Sequence, residues 1–325
     1  MNNYKVLVTD MRHADIEIEK KTLEPLGIKV NNTFCRTEED LIKNGKGAMG
    51  FLVSFANITK KVMENLPDLK VIVKYGIGYD NIDVKSATKL GKYVANVRGH
   101  CREEVALQTL SLLLNGVRKT CYFVSSVKNG VWAQDPSKYS IQRLSKMNVG
   151  IIGFGDIART FAFYLERMCS KINVFDPYFN KQDKYDQKKY TFCNSINNLY
   201  SHSDVISINC PLNKETKNMI SKKILSTSTE KIIINTGRGR IVNHKDMLDA
   251  LNSDKVAFYA ADAFISEPAD YTDTIQKALI NHDKVIITPH CGWYSISSEK
   301  DLRRMAAENI VDVFNGKLPK YIVNA

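Results

Sequence analysis

Short runs of β-forming residues alternate with segments of helical periodicity along almost the whole chain. In the first hundred residues these runs cover residues 4–9, 28–34, 50–54, 71–75 and 93–96. Strands that alternate with helices pair in parallel, because each intervening helix carries the chain back across the sheet. The alternation therefore predicts an α/β protein built from doubly wound parallel sheets.

A second series of β-forming runs follows Met147. Its members are NVGII, KINVFD, DVISINC, KIIINTG, VAFYAAD and KVIITPH. Six strands are the number found in a dinucleotide-binding fold. Between the two series, residues 102–129 contain no Pro and only Gly116, so we predict one long helix there; a further helix is predicted over residues 295–314. We expect two domains, residues 1–98 with 295–325, and residues 99–294.

Composition excludes several classes of protein. No apolar run approaches the roughly 20 residues of a membrane span, and the amino-terminal MNNYKVLVTD lacks the features of a signal peptide. The seven cysteines occur singly, which indicates reduced thiols and neither a disulfide framework nor a metal site. Lys and Arg outnumber Asp and Glu by 46 to 35, but they are spread along the chain without interleaved aromatics. We expect a soluble cytoplasmic protein with no nucleic-acid or membrane partner.

The segment Gly153-Phe-Gly155-Asp-Ile-Ala158 lies directly after a predicted strand and directly before a predicted helix. In such a turn the first Gly permits the tight bend, the second lets a pyrophosphate approach the backbone, and the third position needs a small residue. Asp176 ends the next predicted strand, roughly 20 residues on, where a carboxylate binds the ribose of NAD. The pattern predicts NAD as the cofactor. The alternative is a helix-capping loop followed by a turn at residues 176–177.

Arg238, Glu267 and His290 each follow a predicted strand of the second series. Ligands bind at the carboxyl ends of strands in open α/β sheets, so the three side chains should meet at one edge. Arg binds carboxylates with two hydrogen bonds, an imidazole exchanges a proton with a carbonyl oxygen, and a carboxylate stabilises the imidazolium. Taken singly, each residue has an ordinary structural explanation, as a surface Arg, a Glu-Pro turn or a strand-end His.

Five motifs in this order resemble those of the D-isomer-specific 2-hydroxyacid dehydrogenases. They are YGIGYDNID at 75–83, GIIGFGDIA at 150–158, NTGRG at 235–239, the segment from Asp262 to Glu267-Pro268, and TPH at 288–290. The resemblance covers essentially the whole chain. Within the family, LVTD at 7–10, CREEVA at 101–106 and HCGWYS at 290–295 are most similar to the branch related to C-terminal-binding proteins.

The resemblance implies a Rossmann NAD domain inserted into a flavodoxin-like substrate domain, and a homodimer. It also implies that Arg238, Glu267 and His290 are catalytic, with Arg238 on the substrate carboxylate and Glu267 supporting His290 as acid/base. The residues that it places on the cofactor are Thr109, Gly153, Gly155, Asp156, Ile157, Asp176, Cys210, Pro211, Thr216, Thr236, Gly237 and Asp262. The implied contacts with the substrate are Gly76, Ile77, Gly78, His100 and Trp293.

The function predicted from these residues is NAD-dependent interconversion of a 2-oxo acid and a D-2-hydroxy acid. One alternative is an NAD(H)-sensing corepressor or scaffold with weak dehydrogenase activity; another is a phosphoglycerate dehydrogenase, although no second Arg cluster indicates phosphate recognition. His100 is equally well explained as a partly exposed linker residue, and Trp293 as hinge packing. Cys291, beside the predicted catalytic His, is interpreted as a packing residue.

Overall fold

The computed structural model describes residues 4–10, 15–132, 141–180, 184–227 and 230–324. The chain forms two compact units. Met1–Cys101 with Tyr294–Ala325 make up one, here called the split unit, and Arg102–Trp293 make up the other, the inserted unit.

The split unit contains a parallel sheet of β1 (Tyr4–Val8), β2 (Ile28–Asn32), β3 (Gly50–Val53), β4 (Val71–Lys74) and β5 (Tyr93–Ala95). The strand order β2-β1-β3-β4-β5 is that of a flavodoxin-like domain. Its helices are α1 (Glu17–Leu23), α2 (Glu38–Gly45), α3 (Lys60–Glu64), α4 (Val84–Lys89) and, after the inserted unit, the last helix of the chain, α12 (Ile296–Phe314). The predicted flavodoxin-like fold is confirmed.

Side-chain caps fix where the helices of the split unit begin. Thr37 caps α2 by accepting the Asp40 N–H at 3.1 Å, while the Asp40 carboxylate accepts the Thr37 N–H at 3.1 Å. Ser295 caps α12 in the same way, accepting the Ser298 N–H at 2.9 Å. The sequence predicts the Thr37 cap from residue type alone, because a threonine there precedes three acidic residues and a periodic apolar pattern.

The inserted unit contains β6 (Asn148–Ile152), β7 (Lys171–Phe175), β8 (Tyr190–Phe192), β9 (Val205–Ile208), β10 (Lys231–Asn235), β11 (Val256–Ala261) and β12 (Val285–Ile287). All pair in parallel, in the order β12-β11-β10-β9-β6-β7-β8. From β8 to β11 this is the Rossmann order 3-2-1-4-5-6, and β12 is a seventh strand at the opposite edge. The six-strand prediction omits β8, the third strand of that order. The three residues of β8, YTF, have a central Thr and directly follow two lysines, so they do not stand out as an apolar run.

Helices cover both faces of this sheet. They are α5 (Arg102–Arg118), α6 (Thr120–Lys128), α7 (Asp156–Leu165), α8 (Ile196–Ser201), α9 (Lys222–Leu225), α10 (His244–Asn252) and α11 (Thr274–Ile280). In β10, Ile232 and Ile234 pack into one apolar cluster, whereas Ile233 packs into the other. Successive side chains of a strand point to opposite faces, so a sheet covered on both sides buries every residue of such a run.

The single long helix predicted over residues 102–129 is wrong. The structure has two helices there, α5 and α6, separated by Lys119, whose φ of 53° lies in the left-handed region. Asn115 stabilises the break, because its side-chain oxygen accepts the Cys121 N–H at 3.2 Å. The sequence signal for the break is weak, since no Gly or Pro stands at residue 119.

Within the described part of the chain, none of the helices combines the length and the apolar character needed to cross a membrane.

Candidate active site

The turn between β6 and α7 has the geometry of a phosphate-binding loop. Gly153 has a φ of 83°, and a Cβ there would lie 2.8 Å from the backbone nitrogen of Cys210, so a side chain does not fit. A Cβ at Gly155 would meet no atom within 4 Å, so the space beside the turn is open. No side chain caps the first turn of α7, which leaves its N–H groups available to an anion. Ala158, at 1% exposure, satisfies the need for a small buried residue.

Asp176 follows β7 and is fixed beside this turn by two backbone donors. Its Oδ2 accepts the Phe154 N–H at 2.7 Å, and its Oδ1 accepts the Tyr178 N–H at 2.9 Å. Each carboxylate oxygen retains capacity for a second hydrogen bond, which a ribose hydroxyl would supply. The open turn, the uncapped helix end and this carboxylate together fit a dinucleotide.

The other residues predicted to bind the cofactor lie mostly in loops that follow β9 and β10. Thr216 closes the first loop, because its hydroxyl donates to the Pro211 carbonyl at 2.7 Å and accepts the Asn213 N–H at 2.8 Å. The Thr236 hydroxyl lies 2.9 Å from that of Thr109, which joins the second loop to α5. Burial, with a smaller contribution from the Asp176 charge, raises the pKa of the Cys210 thiol to about 12, so this thiol is neutral near pH 7. Contact of these residues with the cofactor stays a prediction.

Glu267 and His290 form a direct pair. The Nδ1 atom of His290 lies 2.6 Å from Oε2 of Glu267, and Oε1 of Glu267 accepts the Phe264 N–H at 3.0 Å. The carboxylate thus holds the imidazole by one of its two ring nitrogens. The two side chains retain 39% and 35% exposure, so a small ligand can reach them.

The Arg238 guanidinium lies close enough to the Glu267–His290 pair to influence the pKa of the Glu267 carboxyl. Burial alone would raise the pKa of the Glu267 carboxyl, but the His290 hydrogen bond and charge, the Phe264 N–H and the Arg238 guanidinium outweigh it and lower that pKa. Glu267 is therefore ionised near neutral pH. The structure brings together all three residues that were predicted to be catalytic.

Gly239 explains how the Arg238 loop reaches the Glu267 loop. A Cβ at residue 239 would lie 2.0 Å from the carbonyl oxygen of Phe264 and 2.6 Å from the nitrogen of Ile265. These are backbone atoms and cannot rotate away, so the close approach of the two loops requires glycine. The second glycine of NTGRG is thus a packing requirement of the site.

Asp262 holds the turn that carries His290. The backbone of His290 has a φ of 53°, which is uncommon for a residue with a side chain. The two following N–H groups, of Cys291 and Gly292, donate to the Asp262 carboxylate at 3.0 and 2.8 Å, and the Thr288 hydroxyl donates to it at 2.5 Å. Gln108 of α5 donates to Thr288 at 3.2 Å. Sequence reasoning places Asp262 on the cofactor and misses this network, because the partners are backbone groups of a distant loop.

Cys291 is not poised as a nucleophile. Burial and the adjacent Asp262 carboxylate raise the pKa of its thiol, so the reactive thiolate is disfavoured. Cys291 is exposed, however, so its interpretation as a packing residue is wrong. Trp293, the last residue of the inserted unit, is half-buried, and its predicted contact with substrate stays a prediction.

The predicted substrate loop of the split unit follows β4. Gly76 has a φ of 122°, which favours glycine, and its carbonyl accepts the Val97 N–H at 2.9 Å. The Asn96 amide donates to the Ile77 carbonyl at 2.7 Å, so the loop at residues 76–78 is held from one side by β5 and the residues after it. His100 is buried, at 8% exposure, so the alternative of a partly exposed linker residue is wrong. Its contact with substrate remains a prediction.

Asp10 lies at the carboxyl edge of the sheet in the split unit, and the sequence does not reveal its role. It follows β1 and is 4% exposed. Its carboxylate accepts the backbone N–H groups of Ser54 at 2.8 Å, of Phe55, and of Ala56 at 2.7 Å. The only sequence signal is an acidic residue directly after a buried strand.

Known proteins resemble this chain in sequence and fold. Residues 110–292 match the family described as D-isomer specific 2-hydroxyacid dehydrogenase, NAD binding domain. The chain is 31% identical over 98% of its length to D-3-phosphoglycerate dehydrogenase of Methanocaldococcus jannaschii, of which it spans only 59%. It is 30% identical to glyoxylate reductase of Thermococcus litoralis, over 82% of this chain and 80% of that protein.

A solved structure of D-lactate dehydrogenase from Aquifex aeolicus, complexed with NAD and lactic acid, superposes with a TM-score of 0.87. The two chains are 25% identical, with 98% of this chain and 99% of that chain covered. The match to the family's NAD-binding domain and the identity to its members agree, and the chain belongs to the D-isomer-specific 2-hydroxyacid dehydrogenases.

Proposed function

We propose that the protein is an NAD-dependent dehydrogenase that interconverts a 2-oxo acid and a D-2-hydroxy acid. The observation that carries this proposal is the pair formed by Glu267 and His290, 2.6 Å apart, with the Arg238 charge acting on the same carboxylate. Both loops of the pair and the Arg238 loop follow strands of the inserted sheet, as does the dinucleotide-type turn at Gly153.

Each side chain has a distinct task in reduction of a 2-oxo acid. The Arg238 guanidinium binds the substrate carboxylate with two hydrogen bonds and so orients the adjacent carbonyl. His290, as imidazolium, donates the proton from its Nε2 to the carbonyl oxygen, and the Glu267 carboxylate stabilises that imidazolium. The bound dinucleotide supplies the hydride that reaches C2. In oxidation His290 is neutral and accepts the proton of the hydroxyl group.

We further infer that a loop of the split unit binds a substrate anion. The backbone N–H groups at Gly76, Ile77 and Gly78 lie at the carboxyl end of β4, a position where parallel sheets bind ligands. The positive φ of Gly76 turns the chain there and presents peptide groups to an anion. We assign these groups to the binding of a carboxylate.

The test is reduction of 2-oxo acids by NADH, followed at 340 nm, with wild type and Arg238→Ala compared. We expect turnover by the wild type and a loss of kcat/KM of at least two orders of magnitude in the variant, equivalent to about 3 kcal/mol. The dissociation constant of NADH should change little, because the guanidinium contacts substrate. Arg238→Lys should not restore activity, since an ammonium lacks the planar fork. Near-normal kcat/KM in Arg238→Ala would show that the carboxylate is bound elsewhere.

We also propose that the protein is a homodimer that uses α5 and α6. No residue of α6 is buried, although the helix carries Val124 at 48% and Val127 at 51% exposure. Leu107 on α5 is 46% exposed, and Trp132, just after α6, is 75% exposed. Neighbouring exposed apolar side chains of this kind are typical of a surface that a partner covers. A second copy is the partner that the family resemblance implies.

A further inference from the structure

A guanidinium is attached to the phosphate-binding turn of the inserted unit. Arg159 follows the first turn of α7, and its own N–H donates to the Gly155 carbonyl at 3.0 Å. Side chains of a helix tilt toward its amino terminus, so the Arg159 side chain reaches back over that first turn. Its Nη1 donates to the Phe154 carbonyl at 2.9 Å. Phe154 stands between the glycines of the turn, so the positive charge is fixed at the turn itself.

The same residue of the turn also holds the carboxylate that is predicted to bind the ribose. The Phe154 N–H donates to Oδ2 of Asp176 at 2.7 Å, while its carbonyl accepts from Arg159. In a dinucleotide the ribose of the adenosine is joined directly to the pyrophosphate. A cation fixed to the residue that also holds the ribose-binding carboxylate is therefore well placed to bind the pyrophosphate.

Asp156 places a negative charge at the same helix end. It is the first residue of α7, its carboxylate pairs with Nη2 of Arg159, and its side chain is 60% exposed. The amino terminus of a helix favours an anion, whether a carboxylate or a phosphate. A bound pyrophosphate would therefore share both the helix end and the guanidinium with Asp156, and the two like charges repel each other.

The Arg159 guanidinium is able to bind a further anion. A guanidinium carries several N–H donors in a planar fork, and Phe154 and Asp156 each accept one of them. The Arg159 side chain is 38% exposed, so a ligand can reach it. Arg binds phosphate oxygens with two parallel hydrogen bonds, which are stronger than hydrogen bonds between neutral groups.

We propose that Arg159 binds the pyrophosphate of the cofactor and that Asp156 competes with the pyrophosphate for the guanidinium, which weakens cofactor binding. The predicted cofactor residues include Asp156 and omit Arg159, so this inference adds a ligand-binding residue and gives the Asp156 carboxylate the opposite effect. Weaker binding is expressed mainly as faster dissociation, so the competing carboxylate favours release of the cofactor. The inference concerns the cofactor and does not depend on the proposed reaction.

The experiment measures the binding of three ligands to wild type, Arg159→Ala and Asp156→Asn. NADH is titrated by its fluorescence, and ADP-ribose and adenosine are titrated by displacement of NADH. Arg159→Ala should raise the dissociation constants of NADH and ADP-ribose roughly tenfold or more, because both contain the pyrophosphate. It should change that of adenosine, which has no phosphate, by less than about twofold.

Asp156→Asn should have the opposite effect. We expect it to lower the dissociation constants of NADH and ADP-ribose by about fivefold, because it removes the competing charge and keeps the shape of the side chain. The dissociation constant of adenosine should stay the same. A gain in affinity that is confined to ligands with a pyrophosphate does not arise from misfolding.

Arg304→Ala and Asp301→Asn are the matched controls. These residues form an ion pair of the same types at the same spacing on α12, in the split unit, with Nη2 3.0 Å from Oδ1. Their side chains are 50% and 53% exposed. Each control changes the net charge by the same amount as its counterpart on α7. Exposed ion pairs contribute little, so the dissociation constants of all three ligands should stay within about twofold of wild type.

The possible results lead to different conclusions. An unchanged or raised dissociation constant of NADH in Asp156→Asn would overturn the inference, as would an unchanged one in Arg159→Ala. Equal losses of ADP-ribose and adenosine binding in Arg159→Ala would show that the guanidinium acts only on the shape of the turn, and would also overturn it. Failure of the wild type to reduce any 2-oxo acid would overturn the proposed reaction and leave this inference intact.

Discussion

His290 owes its position to a carboxylate 28 residues earlier in the chain, since Asp262 binds the N–H groups of the two residues that follow it. We expect Asp262→Asn to lower kcat at least tenfold, because an amide that turns its NH₂ group toward a backbone donor loses that hydrogen bond and releases the turn. The dissociation constant of NADH, measured by fluorescence, should change less than threefold. Weaker NADH binding with an unchanged kcat would instead assign Asp262 to the cofactor.

The Glu267 carboxylate is expected to set the pH range of reduction. The pKa of its carboxyl is lowered, because the His290 hydrogen bond and charge outweigh burial, so Glu267 is ionised near neutral pH. Reduction requires a proton from the enzyme, so its rate should fall as pH rises. In Glu267→Gln the charge is absent, and the alkaline limb of kcat/KM should move to lower pH, because an adjacent negative charge favours a protonated partner.

The measurement is a pH–rate profile of wild type and Glu267→Gln with the same 2-oxo acid, under conditions where chemistry limits the rate. A uniform drop in rate with the limb in place would mean that Glu267 only orients the ring. An unchanged profile would exclude Glu267 as the partner of His290.

Asp176 is expected to make the enzyme prefer NAD to NADP. Its carboxylate stands at the end of β7 beside the Gly153 turn, and a 2′-phosphate there would meet a like charge. Asp176→Ala should lower the ratio of kcat/KM with NADH to kcat/KM with NADPH by at least tenfold, mostly because NADH binds more weakly. Equal efficiency of the wild type with both cofactors would contradict this role.

Residue types and their places relative to strands were enough to predict Arg238, Glu267 and His290, because parallel strands bring their carboxyl ends to one edge. The partners of Asp10 and Asp262 could not be predicted in this way. Each carboxylate binds backbone N–H groups of a loop far along the chain. Every residue except Pro has such a group, so residue type does not indicate which of them are the donors. The burial of His100 was missed for a related reason, since it depends on tertiary packing and not on local pattern.

Among the elements, α5 packs on its sheet through a glycine. A Cβ at Gly116 would lie 2.6 Å from Phe258 of β11 and 3.0 Å from Ile232 of β10. In a helix Ala is more stable than Gly by about 1 kcal/mol, whereas overpacking a core costs about 1–3 kcal/mol. The overpacking at residue 116 should therefore outweigh the gain in helix propensity. We expect Gly116→Ala to lower the free energy of unfolding by about 1 kcal/mol, measured by urea denaturation.

Phe258→Leu tests whether that ring is the cause. Phe258→Leu should lower the free energy of unfolding less in the Gly116→Ala variant than in the wild type, because it removes the ring atoms that the new methyl group contacts. An increased stability of Gly116→Ala would show that the ring moves aside and that helix propensity dominates.

Elements with strong periodicity and length were predictable, and the exceptions have physical reasons. The strand β8, which completes the sheet edge beside β7, directly follows two lysines and lacks a continuous apolar run. The break between α5 and α6 depends on one Asn115 hydrogen bond and a left-handed Lys119, neither of which is specified by residue type. Composition predicted a continuous helix because residues 102–129 contain no Pro and only one Gly, Gly116.

At the scale of the whole molecule, dimer formation through α5 and α6 can be tested by light scattering. The wild type should have twice the chain mass of 36.8 kDa. Replacing both Val124 and Val127 with Glu places two charges on the exposed apolar face and should give a monomer, because burying unpaired carboxylates is costly. Leu318→Glu, at a residue of the carboxyl-terminal segment that is 59% exposed, is the control and should leave the mass unchanged. A dimeric double variant would locate the interface elsewhere.

The interrupted split unit has a consequence for the order of events during synthesis. Its edge strand β5 is completed by the end of the chain, since Val323 donates its N–H to the Val94 carbonyl at 2.8 Å and Asn324 accepts the Val94 N–H at 2.7 Å. The ribosome must make the whole inserted unit, about 190 residues, before that segment emerges, which takes roughly 10–40 s at ~5–20 residues per second. Throughout that interval β5 presents an open edge, and the sheet lacks α12. The nascent segment Met1–Cys101 is thus the part most exposed to aggregation, and the inserted unit, whose elements are contiguous, is able to fold first.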